Sequence, residues 1–95
     1  MSKNKQDLID VISERADIPK TAAENALNAL TDYITETLVS GGKVTIVGWG
    51  GWETSQRAAR TGRNPQTGDL MQIPAAIVPK FKAGKKLKDA VNTDS

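Results

Sequence analysis

The sequence predicts an α+β fold: two N-terminal helices and a short C-terminal helix form a helical base, joined to a β-sheet from which a β-hairpin arm protrudes. Three observations predict it. Apolar residues recur at helical spacing through the first 40 positions, the pattern switches to β-branched alternation at Lys43, and Arg57 to Ile73 reads as extended chain without a clean apolar face. At 95 residues the chain is one domain.

Leu8, Ile9, Val11, Ile12 and Ala16 lie on one helical face while Lys5, Asp7, Asp10 and Glu14 lie on the others, so Lys3 to Arg15 is an amphipathic helix that Asp17-Ile18-Pro19 ends. Thr21-Ala-Ala-Glu24 has the capping-box pattern and announces a second helix, with Pro19 upstream compatible with a helix start. Its stripe is Ala23, Ala26, Leu27, Leu30, Tyr33, Ile34, Thr37 and Leu38, and Gly41-Gly42 stops it. Lys43 to Val47 reads as a strand, the glycines around Trp49 as a tight turn, and Trp52 to Ser55 as the returning strand.

A second hairpin comes next. Arg57 to Arg63 and Leu70 to Ile73 flank Asn64-Pro65-Gln66-Thr67-Gly68, whose Asn-Pro and Gly are turn formers. A hairpin that buries no face is marginally stable alone, so it is expected to project from the body as a mobile arm. Pro74 and Pro79 bracket Ala75 to Val78, too proline-rich for a central strand and expected to be an edge. Ala83 to Val91 reads as a short helix with Leu87 and Val91 inward, and Asn92 to Ser95 should fray. The segments divide as a helical dimerisation part (1–40), a body hairpin (43–55), an arm (56–74), and a return strand with C-terminal helix (75–95).

Charge is unevenly distributed. Residues 1–40 hold four basic and seven acidic side chains, a balance of −3, whereas 41–95 hold nine and four, a balance of +5. Within 54–88, eight basic residues face Asp69 alone. Such clustering is the footprint of a polyanion partner. With no His or Cys, and with carboxylates concentrated in the helical half without metal-ligand spacing, the sequence offers no catalytic residues, metal site or cofactor site. An enzymatic role is not expected. No stretch is apolar enough for a signal peptide or a membrane span, so a soluble, cytoplasmic protein away from membranes is expected.

The order helix, helix, β-hairpin, basic arm, short helix, together with Arg57-Ala58-Ala59-Arg60-Thr61-Gly62-Arg63-Asn64-Pro65-Gln66-Thr67-Gly68, strongly resembles the HU/integration host factor family of bacterial histone-like proteins. Ile73-Pro74-Ala75, Val78-Pro79, Phe81 and Gly84-Lys85 match the segment after the arm in that family, and the resemblance runs from about Lys5 to Val91. It implies an intertwined homodimer, or a heterodimer with a close paralogue, whose arms enter the DNA minor groove. Pro65 would be the wedge that unstacks a base step and bends the duplex. Trp49 and Trp52 replace the family's usual phenylalanines, Thr54 replaces an aliphatic, Pro19 stands where a capping Ser or Thr is usual, and Asp69 to Gln72 carry none of the basic residues common on the returning strand.

Within that frame Arg57, Arg60 and Arg63 are the arm's phosphate and minor-groove contacts, because a guanidinium pairs bidentately with phosphate and its planar head fits a narrow groove. Asn64 either holds the tip's backbone or touches a base edge. Lys5, Lys80, Lys82, Lys85, Lys86 and Lys88 would extend the positive track, with Lys5, Lys85 and Lys88 best placed by family position. Trp49 and Trp52 are read as core packing rather than base-stacking platforms. Gly48-Trp49-Gly50-Gly51 lacks the spacing of a nucleotide-binding loop and leads into a strand. The expected function is sequence-tolerant binding and bending of double-stranded DNA, with preference for bent, nicked or flexible duplexes, in the architecture of the nucleoid. The alternatives are a site-specific bender of the integration host factor type, a binder of structured RNA, and a protein-interaction module whose arm augments another sheet.

Overall fold

A computed structural model describes residues 1–92, so the expected fraying falls, beyond Asn92, outside the described residues. Two compact units divide the chain, one of residues 1–36 and one from Thr37 onward.

In the first unit, α1 (Lys5–Ala16) begins two residues later than the apolar pattern suggests. The reason is a capping box that periodicity does not reveal. Asn4 Oδ1 accepts from the Asp7 backbone N–H and Asp7 Oδ2 from the Asn4 backbone N–H, each at 3.0 Å, so two orphan donors are satisfied reciprocally. The helix ends where Asp17 adopts a left-handed conformation, φ 55°. There the Asp17 and Ile18 N–H groups both donate to the Ser13 carbonyl, and Ser13 Oγ donates to the Ile18 carbonyl at 2.6 Å. The second helix, α2 (Lys20–Val39), starts one residue ahead of Thr21, which therefore lies inside the first turn and not at the expected cap. Pro19 supplies the carbonyl that accepts the Ala23 N–H. At the far end Gly41, φ 88°, turns the chain, and the Gly42 N–H closes on the Thr37 carbonyl.

The second unit contains a three-stranded antiparallel sheet in the order β1 (Val44–Ile46), β2 (Gly50–Arg57), β5 (Ala76–Ala83), and a separate two-stranded ribbon of β3 (Arg60–Arg63) and β4 (Leu70–Ile73). β2 is longer than expected because all eight of its residues pair with β5, from Gly50↔Ala83 to Arg57↔Ala76. β5 is an edge strand, in keeping with Pro79 within it and Pro74 just before it, and pairing carries it on to Ala83. That extension delays α3 (Lys85–Val91), which begins after Gly84 instead of at Ala83.

Side chains alternate across a strand and directly opposed pairs share a face, so the register sorts the sheet into two surfaces. One carries Trp52 opposite Phe81, and Trp49 joins them from the β1–β2 turn. The three rings lie 5.0–5.6 Å apart in tilted pairs, each contributing about 0.5–1.5 kcal/mol beyond the area it covers. Trp49 and Trp52 are thus packing residues. The other surface carries Thr45, Gly51, Glu53, Ser55 and Arg57, with Lys82 and Lys80 opposite Gly51 and Glu53 and with Val78 and Ala76 opposite Ser55 and Arg57, so its charge is concentrated around Glu53.

Gly50 is small because the Phe81 ring occupies its space. A Cβ built there would meet the ring at 2.5 Å and the Lys82 carbonyl at 2.9 Å. Gly84 is equally confined, since a Cβ built there would meet the Gly48 carbonyl oxygen at 2.7 Å; its own N–H donates to the Trp49 carbonyl and the Lys86 N–H to the Gly48 carbonyl. These bonds tie α3 to the β1–β2 turn. Gly50→Ala should destabilise the fold by about 1–3 kcal/mol through overpacking. Thermal unfolding measures it, and a melting temperature equal to wild type would contradict the packing described.

Candidate nucleic-acid interface

The ribbon grows from the ends of β2 and β5 through Ala58-Ala59 and Pro74-Ala75. Its register pairs Arg60 with Ile73, Thr61 with Gln72, Gly62 with Met71 and Arg63 with Leu70. Arg60, Met71 and Ile73 therefore share one face, and Ile73 leans over Gly62, its Cδ1 3.0 Å from where a Cβ would stand. Thr61, Arg63, Leu70 and Gln72 share the other, with Gln72 Nε2 donating to Thr61 Oγ1 at 3.3 Å. The two ribbon arginines thus project to opposite sides. Arg57, grouped with the arm on its sequence pattern, lies instead at the end of body strand β2.

The ribbon's tip is closed by its own hydrogen bonds. The Asn64 N–H donates to the Asp69 carbonyl at 2.8 Å, the Gly68 N–H to the Asn64 carbonyl at 2.7 Å, and Asn64 Oδ1 accepts the Gln66 N–H at 2.8 Å. Of the two roles open for Asn64, the structure displays backbone support. Gly68 provides the positive φ, 76°, and Arg63 folds back to donate to its carbonyl at 3.0 Å. Pro65 stands exposed in this turn. A rigid ring on a closed tip is an apolar point at the end of a strand that carries two arginines.

The body lysines differ in what engages them. Lys82 Nζ lies 3.0 Å from Glu53 Oε1, and Lys85 Nζ 3.0 Å from Asp89 Oδ2. The stem of Lys86 covers Gly48, with Cδ 3.3 Å from where a Cβ would be. Lys80 lies exposed directly opposite Glu53 in the register, and Lys88 is exposed on the last turn of α3. Lys5 opens α1 in the other unit and is exposed there. Two residues that the sequence pattern did not single out also belong on the polar face. Glu53 is one, and Lys43, 3.8 Å from Glu53 Oε2, is the other. The signal was present in the period-two run Gly51, Glu53, Ser55, Arg57, but it needed the β5 register to be read.

Among the described residues there is no group of three or more potential metal ligands, and no helix is long and apolar enough to cross a membrane. The buried apolar residues are Ile9, Ala23 and Ile34, while Leu30, Tyr33, Val39, Val47, Trp49 and Phe81 are among the large apolar side chains left substantially exposed.

A family model described as bacterial DNA-binding protein matches residues 3–92. DNA-binding protein HU-beta of Pseudomonas aeruginosa is 55% identical over 89 residues, which cover 94% of this chain and 99% of that protein. The Escherichia coli K12 protein of the same name is 56% identical over an alignment of the same length and coverage. Among solved structures, an Anabaena HU–DNA cocrystal chain superposes with a TM-score of 0.88 at 45% identity, over 94% of this chain and 97% of that one. HU from Thermotoga maritima gives 0.67 at 34% identity, over 94% and 98%.

Glu53 is held below its ordinary carboxyl value, first by the hydrogen bond from Lys82 and then by the charges of Lys82, Lys43 and Lys80, against a partial desolvation that works in the opposite direction. A depressed carboxyl pKa stabilises the fold above the unfolded-state value, and that contribution disappears as pH falls through the folded-state value. Wild type should therefore melt above Glu53→Gln at neutral pH, with the difference vanishing in acid. A difference that persisted below the carboxylate range would contradict the pairing.

Proposed function

The chain belongs to the bacterial DNA-binding protein family of HU type, and from that premise we propose that it binds and bends double-stranded DNA by laying the β3–β4 ribbon in the minor groove. The observation that carries the proposal is the placement of Arg60 and Arg63 on opposite faces of a ribbon whose closed tip bears Pro65. A ribbon lying in a groove has a sugar-phosphate wall on each side, so one arginine serves each wall. Pro65 has no N–H to satisfy and no side-chain freedom to lose, which suits it to wedge between base pairs. Unstacking a step costs about a few kcal/mol, offset by the phosphate contacts that a bent duplex makes with the body.

Arg57, Lys80 and Lys82 would receive DNA leaving the ribbon on the body's polar face, with Lys85, Lys86 and Lys88 of α3 continuing the track, and Lys5 of α1 would be a further phosphate contact. Asn64 acts through the tip's geometry. Because these contacts are to phosphate and groove shape, recognition is sequence-tolerant, and duplexes already nicked or flexible bind best since less deformation remains to be supplied. This is the behaviour of an architectural protein of the nucleoid.

The working unit is a dimer, a second copy or a close paralogue covering the aromatic face and the α2 stripe. Three buried apolar residues among those described are a small core for a chain of this length, and exposed Leu30, Tyr33, Trp49 and Phe81 are the kind of surface a stable partner removes from water. Segments 1–40 and 43–55 would form this dimeric body, 56–74 the arm, and 75–95 the return.

Titrating salt against several unrelated duplexes of about 30 base pairs, intact and nicked, tests the reading. Similar affinities, a steep negative log–log slope and tighter binding to nicked DNA are expected. One strongly preferred duplex would indicate site-specific bending, and no binding at low salt would refute the proposal. Arg60→Ala and Arg63→Ala should each weaken binding uniformly across sequences and reduce the salt slope by about 1. Replacing Thr61 to Gly68 with a short turn should leave the protein folded yet abolish bending, read as the end-to-end distance of a doubly labelled duplex. Normal bending by that variant would remove the wedge from the mechanism.

A further inference from the structure

The polar face of the β1–β2–β5 sheet carries one carboxylate among lysines. Glu53, at the middle of the central strand, uses both of its oxygens: Oε1 takes Lys82 Nζ at 3.0 Å and Oε2 takes Lys43 Nζ at 3.8 Å. Lys80 stands directly across the ladder from it. The lysine side chains are 75% and 74% exposed while that of Glu53 is 23% exposed, so the cations are reachable from solvent and the anion sits behind them. An open groove of about 290 Å³ borders them, lined by Lys43, Thr45, Glu53 and Lys82 but also by Ile46 and Trp52. Gly51 keeps its floor low, since a Cβ there would press on the Val44 carbonyl at 3.0 Å. The carboxylate thus holds one exposed ammonium group at hydrogen-bond distance and a second at a looser 3.8 Å.

We propose that Glu53 sets the DNA affinity of this protein, holding Lys43 and Lys82 ready on the polar face and giving them up when a DNA phosphate replaces it. Lys43 thereby becomes a phosphate contact in addition to those named above. The inference rests on the DNA-binding reading and adds a residue that opposes binding. Exposed ion pairs are individually weak, so exchange with phosphate is accessible, yet each exchange leaves Glu53 unpaired beside a polyanion. Part of the attraction between the lysine strip and DNA is offset by that repulsion. The charged groups facing Glu53 are Lys43 from the segment before β1 and Lys80 and Lys82 from β5. When DNA draws these away, the Glu53 carboxylate binds a proton more readily, and binding becomes coupled to proton uptake in the acid range.

Affinity for one duplex should be compared among wild type, Glu53→Gln, Lys82→Gln, the double variant, and Glu14→Gln as a charge-matched change on α1. At about 0.1 M salt Glu53→Gln should bind roughly 3- to 10-fold tighter than wild type, with Glu14→Gln within about 2-fold of wild type. Lys82→Gln should cost several-fold more in the Glu53→Gln background than in wild type, because only there is the lysine unshared. Equal or weaker binding by Glu53→Gln, or an equal gain from Glu14→Gln, would overturn the inference while leaving DNA binding intact. Failure of wild type to bind would overturn both. An NMR titration of the Glu53 carboxyl in wild type needs no variant: with duplex present it should titrate at higher pH than without, and an unchanged titration would overturn the inference.

Discussion

The antiparallel ladder between β2 and β5 is the interaction on which the rest of this structure depends. Its register places Trp52 against Phe81 on one surface and Glu53, Lys80 and Lys82 on the other, so a single pairing produces both the apolar contact and the charged one. A slip of one residue would exchange the surfaces, setting lysines among the indole rings. The same ladder ends at Arg57↔Ala76, and the short links beyond that pair are where the ribbon begins. Placement of the arm is thus a consequence of the body's register and not of contacts made by the arm itself.

A ribbon organised this way has little to stabilise it beyond its own bonds. Its faces mix arginine with Met71, Leu70 and Ile73, and Leu70 and Met71 remain exposed. The tip compensates locally: Asn64, Gly68, Arg63 and Thr67 supply the hydrogen bonds that close the turn around Pro65. Low burial with a well-bonded tip would suit the groove-binding role proposed for the ribbon, since the turn is closed by its own hydrogen bonds and not by packing on the body. The exposed aromatic face of the body obeys a different requirement. Its rings pack on one another, but an outer surface of indole and phenyl edges is stable in water only when something apolar covers it.

Much of this was legible in the residues. The two helices, the switch to strands at Lys43, the turn at Asn64 to Gly68 and the edge character of a proline-bearing β5 all arise from local rules that do not need the fold. What escaped was either a competition between caps or a matter of register. Thr21 and Glu24 have the capping-box spacing, but the chain after Asp17 already has helical geometry at Lys20, and the Pro19 carbonyl takes the first bond. Asn4 and Asp7 form a true box in a segment where the apolar pattern has not yet begun, so periodicity placed the helix start too early. Glu53 stood in the sequence only as one polar member of a period-two run in a strand. Its meaning arises only when β5 brings Lys80 and Lys82 alongside it.

That dependence on register bears on how affinity is set in a protein of this kind. Phosphate attraction grows with each added cation, and a protein bearing only cations would bind any duplex tightly and leave it slowly. Two features here work in the opposite direction: the returning strand β4 carries no basic residue and comes directly after Asp69, and the lysines of the sheet are shared with Glu53. Neither alters the shape of the ribbon or the position of Pro65. In the proposed mechanism bending depends on that shape and residence time on the sum of charges, so the two properties would be carried by different residues and could be adjusted separately. If Glu53 acts as proposed, the polar face of β2 adjusts the second without touching the first.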